Sequence, residues 1–379
     1  MSSKHQSLRV LVADRSVALR RLIAAELNEV SGIDVLNIAA TAELAIEQVV
    51  SSTTDVLLLD VKMSATEVVE ALRATTAFPA IVLLADTTPS DVAVSLEAIE
   101  AGAADVVTKL PGGTLEFELK QWVRNVLAPR VRSVRRVSPD QSAIDSLFTG
   151  RARPNHAVPT PILVPAGGEL ERLPPKRSIR LVAIGASTGG PKALAQIIPA
   201  LPKDFPTPIV VVQHMPAAFT GLMASRLATV SNLDVVEASA GERLNPGCVY
   251  IAPGNRHLLV VGSVDQPRIE LSDAPPENSC RPAVDVLFRS VSNVYQARAL
   301  GVVLTGMGQD GLLGAEALRR RGSSIIAQDE ASSVVWGMPG LVVKRGFAER
   351  EVPLFRMAQV ICDEVLGRPR SQALRASCP

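Results

Sequence analysis

The chain has 379 residues, of which 47% are hydrophobic and 20% charged, and its formal net charge is +1. This composition excludes a disordered chain, and the near-neutral charge excludes the strongly basic field of many nucleic-acid-binding proteins. All apolar runs are shorter than a membrane span, and four scattered cysteines without a Cys-x-x-Cys pair indicate neither a zinc site nor a disulfide framework. We therefore expect a cytoplasmic protein of about two domains, with no nucleic-acid partner and no insertion into a membrane.

Strand-like apolar runs alternate with amphipathic helical stretches over residues 1–128. Five βα units of this length predict an N-terminal domain with a doubly wound parallel sheet. The predicted strands are 8–13, 33–38, 56–59, 80–85 and 104–107.

Residues 129–178 interrupt this pattern with eight prolines and several arginines, which predicts a linker. Residues 129–180 carry 10 basic against 4 acidic residues, whereas residues 1–128 carry 10 against 17. Opposite charge favours contact between the linker and the first domain. At the other end of the chain, the basic residues 368–379 are predicted to be disordered.

A second α/β series with a mostly parallel sheet is predicted over 179–367. Three of its apolar strands run into Ser187, His214 and Asp310. Ligands of parallel sheets bind at the carboxyl edge, where these side chains would meet as nucleophile, base and orienting carboxylate. Each also has a structural alternative: a helix cap for Ser187 and Asp310, a buried imidazole for His214. Between 235 and 271 we expect an insertion of short strands, followed by a helix over 281–295.

The motifs around these residues resemble those of the chemotaxis methylesterases, a family that couples a receiver domain to an α/β esterase domain. They are Gly-Ala-Ser-Thr-Gly-Gly at 185–190, Gln-His-Met-Pro at 213–216 and Thr-Gly-Met-Gly-x-Asp-Gly at 305–311. Members hydrolyse γ-glutamyl methyl esters on the cytoplasmic helices of chemoreceptors, and many also deamidate receptor glutamines. The resemblance implies a triad of Ser187, His214 and Asp310, without a cofactor or an assigned metal. It also implies that Thr188 hydrogen-bonds near the histidine and that the N–H of Met307 contributes to the oxyanion hole.

The first domain resembles the receivers of two-component response regulators. Asp60 matches the phosphoacceptor, and Lys109 the lysine that contacts the phosphoryl group. Receivers usually carry two adjacent acids that help to bind Mg²⁺, but here these positions are Asp14 and Arg15, and Ala85 replaces the hydroxyl expected at the end of the fourth strand. We expect Arg15 to pair with Asp60 in place of the cation and to weaken Mg²⁺ binding. The resemblance implies phosphorylation by a chemotaxis histidine kinase, which these substitutions oppose.

The implied protein substrates are methyl-accepting chemotaxis receptors, and the implied regulation is a receiver that covers the esterase site. A receiver unable to switch would be a permanent lid or a docking module for a partner. The alternative function is that of a non-chemotactic signalling protein of the same fold, which acts on or docks another protein. Retention of all three triad residues favours the hydrolase, since each supports orders of magnitude in rate.

Overall fold

The computed structural model describes residues 7–75, 78–134 and 178–368. Its N-terminal unit is a five-stranded parallel sheet of order β2-β1-β3-β4-β5. The strands are β1 Leu8–Ala13, β2 Ile33–Ala39, β3 Val56–Asp60, β4 Ala80–Ala85 and β5 Asp105–Thr108. The helices are α1 Val17–Asn28, α2 Ala42–Ser51, α3 Ala65–Arg73, α4 Pro89–Ala101 and α5 Glu116–Trp122. The predicted doubly wound sheet is thereby confirmed.

Central strands β3 and β4 are apolar almost throughout, and every residue of both is buried, because helices cover both faces of the sheet. Their register pairs Asp60 with Leu84, so Leu84 is the residue beside Asp60 on the next strand and Ala85 lies one step beyond. Ala85 is the last residue of β4, at the strand end where the hydroxyl is expected. Neither side chain supplies a hydroxyl.

The last helix of this unit extends past the predicted domain boundary at 128. Helix α5 continues without a break through a π-helical turn, Val123–Leu127, into α6, Ala128–Ser133. Val131 and Val134 are buried in the core of the N-terminal unit. Residues 129–134 therefore belong to this unit and not to a linker. The rest of the predicted linker (135–177) and most of the predicted tail (369–379) lie outside the described residues.

The C-terminal unit has a seven-stranded parallel sheet of order β14-β13-β12-β6-β7-β9-β8 and a separate antiparallel hairpin, β10-β11. The strands are β6 Leu181–Ala186, β7 Ile209–Gln213, β8 Asp234–Glu237, β9 Cys248–Ile251, β10 His257–Ser263, β11 Gln266–Ser272, β12 Ala299–Val303, β13 Ser324–Gln328 and β14 Arg350–Val352. The helices are α7 Gly190–Ile197, α8 Ala217–Val230, α9 Val284–Tyr295, α10 Leu312–Arg320, α11 Met338–Lys344 and α12 Leu354–Val365.

The region predicted as an insertion of short strands is only partly separate from the main sheet. Strand β9 pairs with β7, and β8 pairs with β9 at the sheet edge, so both extend the main sheet. Only β10 and β11 form a separate hairpin. Helix α9 begins at Val284, three residues later than predicted, after the extended residue Ala283.

Helix α4 of the N-terminal unit packs against α7 and α8 of the C-terminal unit. Its apolar residues Val92 and Leu96 belong to the same buried cluster as Ile197. At the rim, the Arg226 guanidinium pairs with Glu97 at 2.6 Å and with Glu100 at 3.3 Å. No helix within the described ranges is long and apolar enough to cross a membrane.

Candidate active site

The three predicted triad residues follow three adjacent strands of the seven-stranded sheet. Strand β6 lies between β12 and β7, and the register pairs Ala186 with Gln213 and Gly185 with Val303. Ser187 and His214 each stand one residue beyond the Ala186–Gln213 pair, and the His214 N–H donates to the Ala186 carbonyl at 3.0 Å. The fold therefore brings the serine and the histidine side by side at the carboxyl edge of the sheet.

Ser187 lies on a sharp turn between β6 and α7. Its N–H donates to the Thr305 carbonyl at 3.0 Å, and its own carbonyl accepts from the Gly190 N–H at 2.7 Å. Gly189 completes the turn with φ of +79°, a left-handed conformation that favours glycine. Gly306 approaches so closely that a Cβ there would lie 2.7 Å from the Cβ of Ser187. The backbone thus holds the serine in a fixed position at the start of a helix.

Asp310 holds the imidazole of His214 through a hydrogen bond of 2.8 Å between its Oδ2 and the ring Nε2. Asp310 is itself fixed by donors from the surrounding loops and helix starts. They are the N–H groups of Val284 (2.6 Å), Asp285 (3.0 Å) and Gly311 (3.0 Å) and the Asn278 side-chain amide (3.1 Å). A carboxylate with this many donors stays ionised and sets the ring orientation.

The free ring nitrogen of His214 is Nδ1, which must therefore accept the serine proton. Among the described residues it contacts Cys280 Sγ at 3.5 Å, and the Ser187 Oγ forms no hydrogen bond with it. Because neighbouring parallel strands lie about 4.8 Å apart, we expect rotation about χ1 of Ser187 to bring its hydroxyl to Nδ1 when substrate binds. Catalytic hydrogen bonds are often long before substrate binds.

His214 and Asp310 each stabilise the charged form of the other. Burial lowers the pKa of His214, but the hydrogen bonds to Asp310 and Cys280 outweigh it and raise this pKa to about 9. Burial in turn raises the pKa of Asp310, yet the bond to His214 and the backbone donors hold it below its usual value. The imidazolium formed during proton transfer is therefore well stabilised.

Two further predicted residues flank the triad. The N–H of Met307 donates to no group in the described part of the chain, which leaves it available to an oxyanion. Thr188 is fully buried, but its hydroxyl donates to Asp105 Oδ2 at 2.9 Å and accepts from Arg130 at 3.1 Å. The expectation that Thr188 hydrogen-bonds near the histidine is therefore not met in this arrangement, because the N-terminal unit occupies its hydroxyl.

Asp105, Arg130 and Thr188 form an interdomain clamp beside the nucleophile. Arg130 and Asp105 are 2.6 Å apart, and both come from the N-terminal unit. A cavity of about 90 Å³ remains between the units, lined on the catalytic side by His214 and Met215. Ligand pockets usually measure about 300–1,000 Å³, so this space is too small for an ester on a protein helix. The N-terminal unit covers the site.

The predicted receiver residues also come together. Lys109 Nζ lies 2.7 Å from Asp14 and 2.9 Å from Asp60, and Arg15 Nε lies 3.5 Å from the other Asp60 oxygen. The expected pairing of Arg15 with Asp60 is confirmed. Mg²⁺ needs hard oxygen ligands in near-octahedral geometry, but here two cations already surround the carboxylates. These residues do not fit Mg²⁺.

Sequence analysis missed Cys280, Asp105 and Arg130 as neighbours of the catalytic residues. Cys280 is separated from His214 by 66 positions, and no motif spacing links the two. Arg130 was assigned to the linker because of the surrounding prolines and arginines. The charge contrast between the linker and the first domain indicated that basic and acidic residues make contact there, but it did not identify which residues do so.

Two family models match this chain: CheB methylesterase over residues 182–361 and response regulator receiver domain over residues 10–113. A protein of Trichodesmium erythraeum named protein-glutamate methylesterase/protein-glutamine glutaminase is 37% identical over 358 residues, covering 93% of this chain and 97% of that protein. A Nocardioides protein of the same name is 40% identical over 361 residues, covering 93% and 94%. The crystal structure of the Thermotoga maritima CheB methylesterase catalytic domain is 43% identical, with 49% of this chain and 99% of that chain covered and a TM-score of 0.48.

Proposed function

This chain belongs to the protein-glutamate methylesterase/protein-glutamine glutaminase family, and we propose that it hydrolyses glutamate γ-methyl esters and deamidates glutamines on chemoreceptor helices through Ser187, His214 and Asp310. The observation that supports this proposal is the convergence of these side chains at adjacent strand ends, with Asp310 Oδ2 2.8 Å from the imidazole. The names of the relatives favour this function over the non-chemotactic alternative.

In the proposed reaction the Ser187 hydroxyl attacks the γ-carbonyl carbon while His214 Nδ1 accepts its proton. Asp310 holds the ring through Nε2 and stabilises the imidazolium without taking up the proton. The N–H of Met307 donates to the oxyanion. The imidazolium then protonates the leaving group, which is methanol from an ester or ammonia from an amide. Water, deprotonated by His214, releases the glutamate side chain.

The direct test is incubation with a methylated chemoreceptor cytoplasmic domain, followed by assay of free methanol. A receptor that carries glutamines at the same positions serves as the deamidation substrate, with ammonia as the product. Release of methanol supports the proposal. Retention of every methyl group, after the covering unit has been weakened as described next, contradicts it.

We propose that the interdomain clamp inhibits the enzyme. Asp105→Ala leaves Arg130 half-buried without its partner in the closed arrangement, and full exposure to water on opening relieves this cost. We expect methanol release to rise about tenfold as the population shifts toward the open form. A chain that begins near Arg177, and so lacks the N-terminal unit, is expected to be at least as active.

The matched control for the clamp is Glu116→Gln, which removes an exposed partner of Lys120 in the same unit but far from the site. This variant is expected to keep the rate of the parent protein, since exposed pairs contribute little. Equal rates for Asp105→Ala, the shortened chain and the parent protein would contradict inhibition by the N-terminal unit.

We further propose that Arg15 keeps Asp60 from Mg²⁺-dependent phosphorylation. With a small-molecule phosphodonor and Mg²⁺, Arg15→Asp is expected to be labelled at least about tenfold more than the parent protein, because it restores an oxygen ligand and removes a like charge. Asp60→Asn in the Arg15→Asp background is the control and should abolish labelling. Strong labelling of the parent protein, lost in Asp60→Asn alone, would refute the proposal.

Action on receptor helices would place the enzyme in the cytoplasm, with chemoreceptors as substrates and a histidine kinase as the family's usual phosphodonor. The three cysteines within the described ranges, Cys248, Cys280 and Cys362, carry no disulfide, which supports a reducing compartment. The hydrolytic step itself requires no cofactor in this proposal, because the serine, the imidazole and the backbone donor supply all of its chemistry.

A further inference from the structure

Cys280 stands beside the catalytic base without a part in the proposed reaction. It is half-buried, and its backbone closes a tight turn with Glu277, in which the Cys280 N–H donates to the Glu277 carbonyl at 2.8 Å. Its Sγ lies 3.5 Å from Nδ1 of His214, the nitrogen that must accept the serine proton. The turn thus presents a thiol directly to the reactive side of the imidazole.

The separation of these two atoms suits a tetrahedral metal ion. Zinc binds thiolate sulfur at about 2.3 Å and imidazole nitrogen at about 2.0–2.1 Å, and at a tetrahedral angle these bonds place sulfur and nitrogen about 3.6 Å apart. The observed distance is 3.5 Å. A zinc ion could therefore bind both atoms without displacement of the turn or the ring.

The opposite side of the ring already has the arrangement found behind zinc-bound histidines. Such histidines usually donate their second N–H to a carboxylate, which fixes the tautomer and raises the basicity of the ligating nitrogen. Here Asp310 accepts from Nε2 at 2.8 Å, so the lone pair of the neutral ring is on Nδ1. The donor atoms of His214, Cys280 and Asp310 all lie within 4.8 Å of one another.

The charges around the thiol permit a divalent cation. Arg130 faces this region, and Asp105, with a smaller contribution from Cys280, raises the pKa of its guanidinium. Asp105 lies 2.6 Å from Arg130 and offsets its charge. A thiolate–imidazole pair prefers zinc to magnesium or calcium, which favour oxygen ligands.

We propose that Cys280 Sγ and His214 Nδ1 form a zinc site that inhibits the hydrolase. Zinc bound there occupies the lone pair that must accept the Ser187 proton; the thiol proton, and the Nδ1 proton of a protonated ring, are released to solvent. The inhibitory effect rests on the proposed function, whereas zinc binding does not.

The site is tested by calorimetric titration of zinc into the full-length protein with Cys280 as its only cysteine, made by Cys248→Ala, Cys362→Ala and Cys378→Ala. The matched control carries Cys280→Ser in addition, a change that nearly keeps the size of the side chain. Zinc that still binds to this control is bound by other groups of the protein. We expect zinc affinity to fall at least about tenfold in the control. Cobalt provides an independent readout, because thiolate-to-cobalt charge-transfer absorption should appear only with Cys280 present.

Inhibition is measured as methanol release relative to the zinc-free rate of each variant. The half-inhibitory zinc concentration should match the calorimetric affinity, rise at least about tenfold with Cys280→Ser, and have no counterpart with magnesium. Equal zinc affinity with and without Cys280 would overturn the site, and binding at Cys280 without inhibition would overturn its effect on the enzyme. Zinc binding at Cys280 in a protein that releases no methanol in any form would support the site and contradict the proposed function.

Discussion

Replacement of Ser187 by alanine is expected to lower methanol release about 10⁶-fold, because loss of the nucleophile in a serine–histidine–aspartate hydrolase removes nearly all of the triad's contribution. The turn that carries the serine is fixed by its own backbone, through the Thr305 carbonyl at 3.0 Å and the Gly190 N–H at 2.7 Å. Removal of a single oxygen therefore leaves the fold in place. The measurement is methanol release from a methylated receptor domain, with thermal unfolding as the check on structure.

The matched control is Ser225→Ala on α8, where the residue is exposed and its hydroxyl donates to the Gly221 carbonyl at 3.0 Å. This variant should release methanol at the rate of the parent protein. If Ser187→Ala also kept a rate within about tenfold of the parent, the serine would not be the nucleophile, since a residual rate of that size is not expected after its loss.

Asp310→Asn is expected to lower the rate about 10⁴-fold, because an amide no longer holds the ring in the tautomer with its lone pair on the serine side. The change is nearly isosteric, but the carboxylate accepts N–H bonds at 2.6 Å from Val284 and at 3.0 Å from Asp285. At least one amide orientation would turn an NH₂ group toward these donors. A loss of folding stability should therefore accompany the loss of rate.

A pH profile separates the positioning role of Asp310 from a purely structural one. The base must be neutral, so kcat/KM is expected to rise with pH and to level off near the His214 pKa of about 9. Asp310→Asn removes a contact that raises this pKa, so its residual activity should level off at a lower pH. An unchanged profile would contradict the assignment.

The control for this second substitution is Asp285→Asn, which removes the neighbouring buried carboxylate but leaves the His214–Asp310 bond. Asp285 Oδ1 accepts from the Gly314 N–H at 2.6 Å and does not contact the imidazole. We expect this variant to lose stability while its pH profile remains that of the parent protein.

Much of the fold and the triad could be predicted because local patterns determined them. The buried run of β4 was predicted with its observed bounds, Ala80–Ala85, because a short all-apolar segment between turn signals is typical of a fully buried strand. Ser187 and His214 were placed together because parallel strands end at one sheet edge. The pairing of Arg15 with Asp60 followed from charge alone.

Other features depended on contacts that no local pattern encodes. Cys280 reaches His214 through a turn whose course is set by the loop between β11 and α9. Thr188 bonds to Asp105 only because another unit docks over the site. The prolines of 129–178 predicted a linker from residue 129, but the helix continues through Pro129, because the π-helical turn before it alters the hydrogen-bond ladder at the point where proline lacks an N–H.

The unbroken helix from Glu116 to Ser133 makes the clamp sensitive to helical phase. Trp122, Val123 and Leu127 in its middle turns belong to the core of the covering unit, and Arg130 near its other end donates to Asp105 and Thr188. One residue inserted ahead of Arg130 would rotate the Arg130 side chain by about 100° around the helix axis, away from both partners. An insertion of a whole helical turn would restore the direction of the side chain but shift it along the helix axis, further from the core of the unit. A chimera with another sensor domain fused at this point would have to preserve the rotational setting of the helix as well as its length.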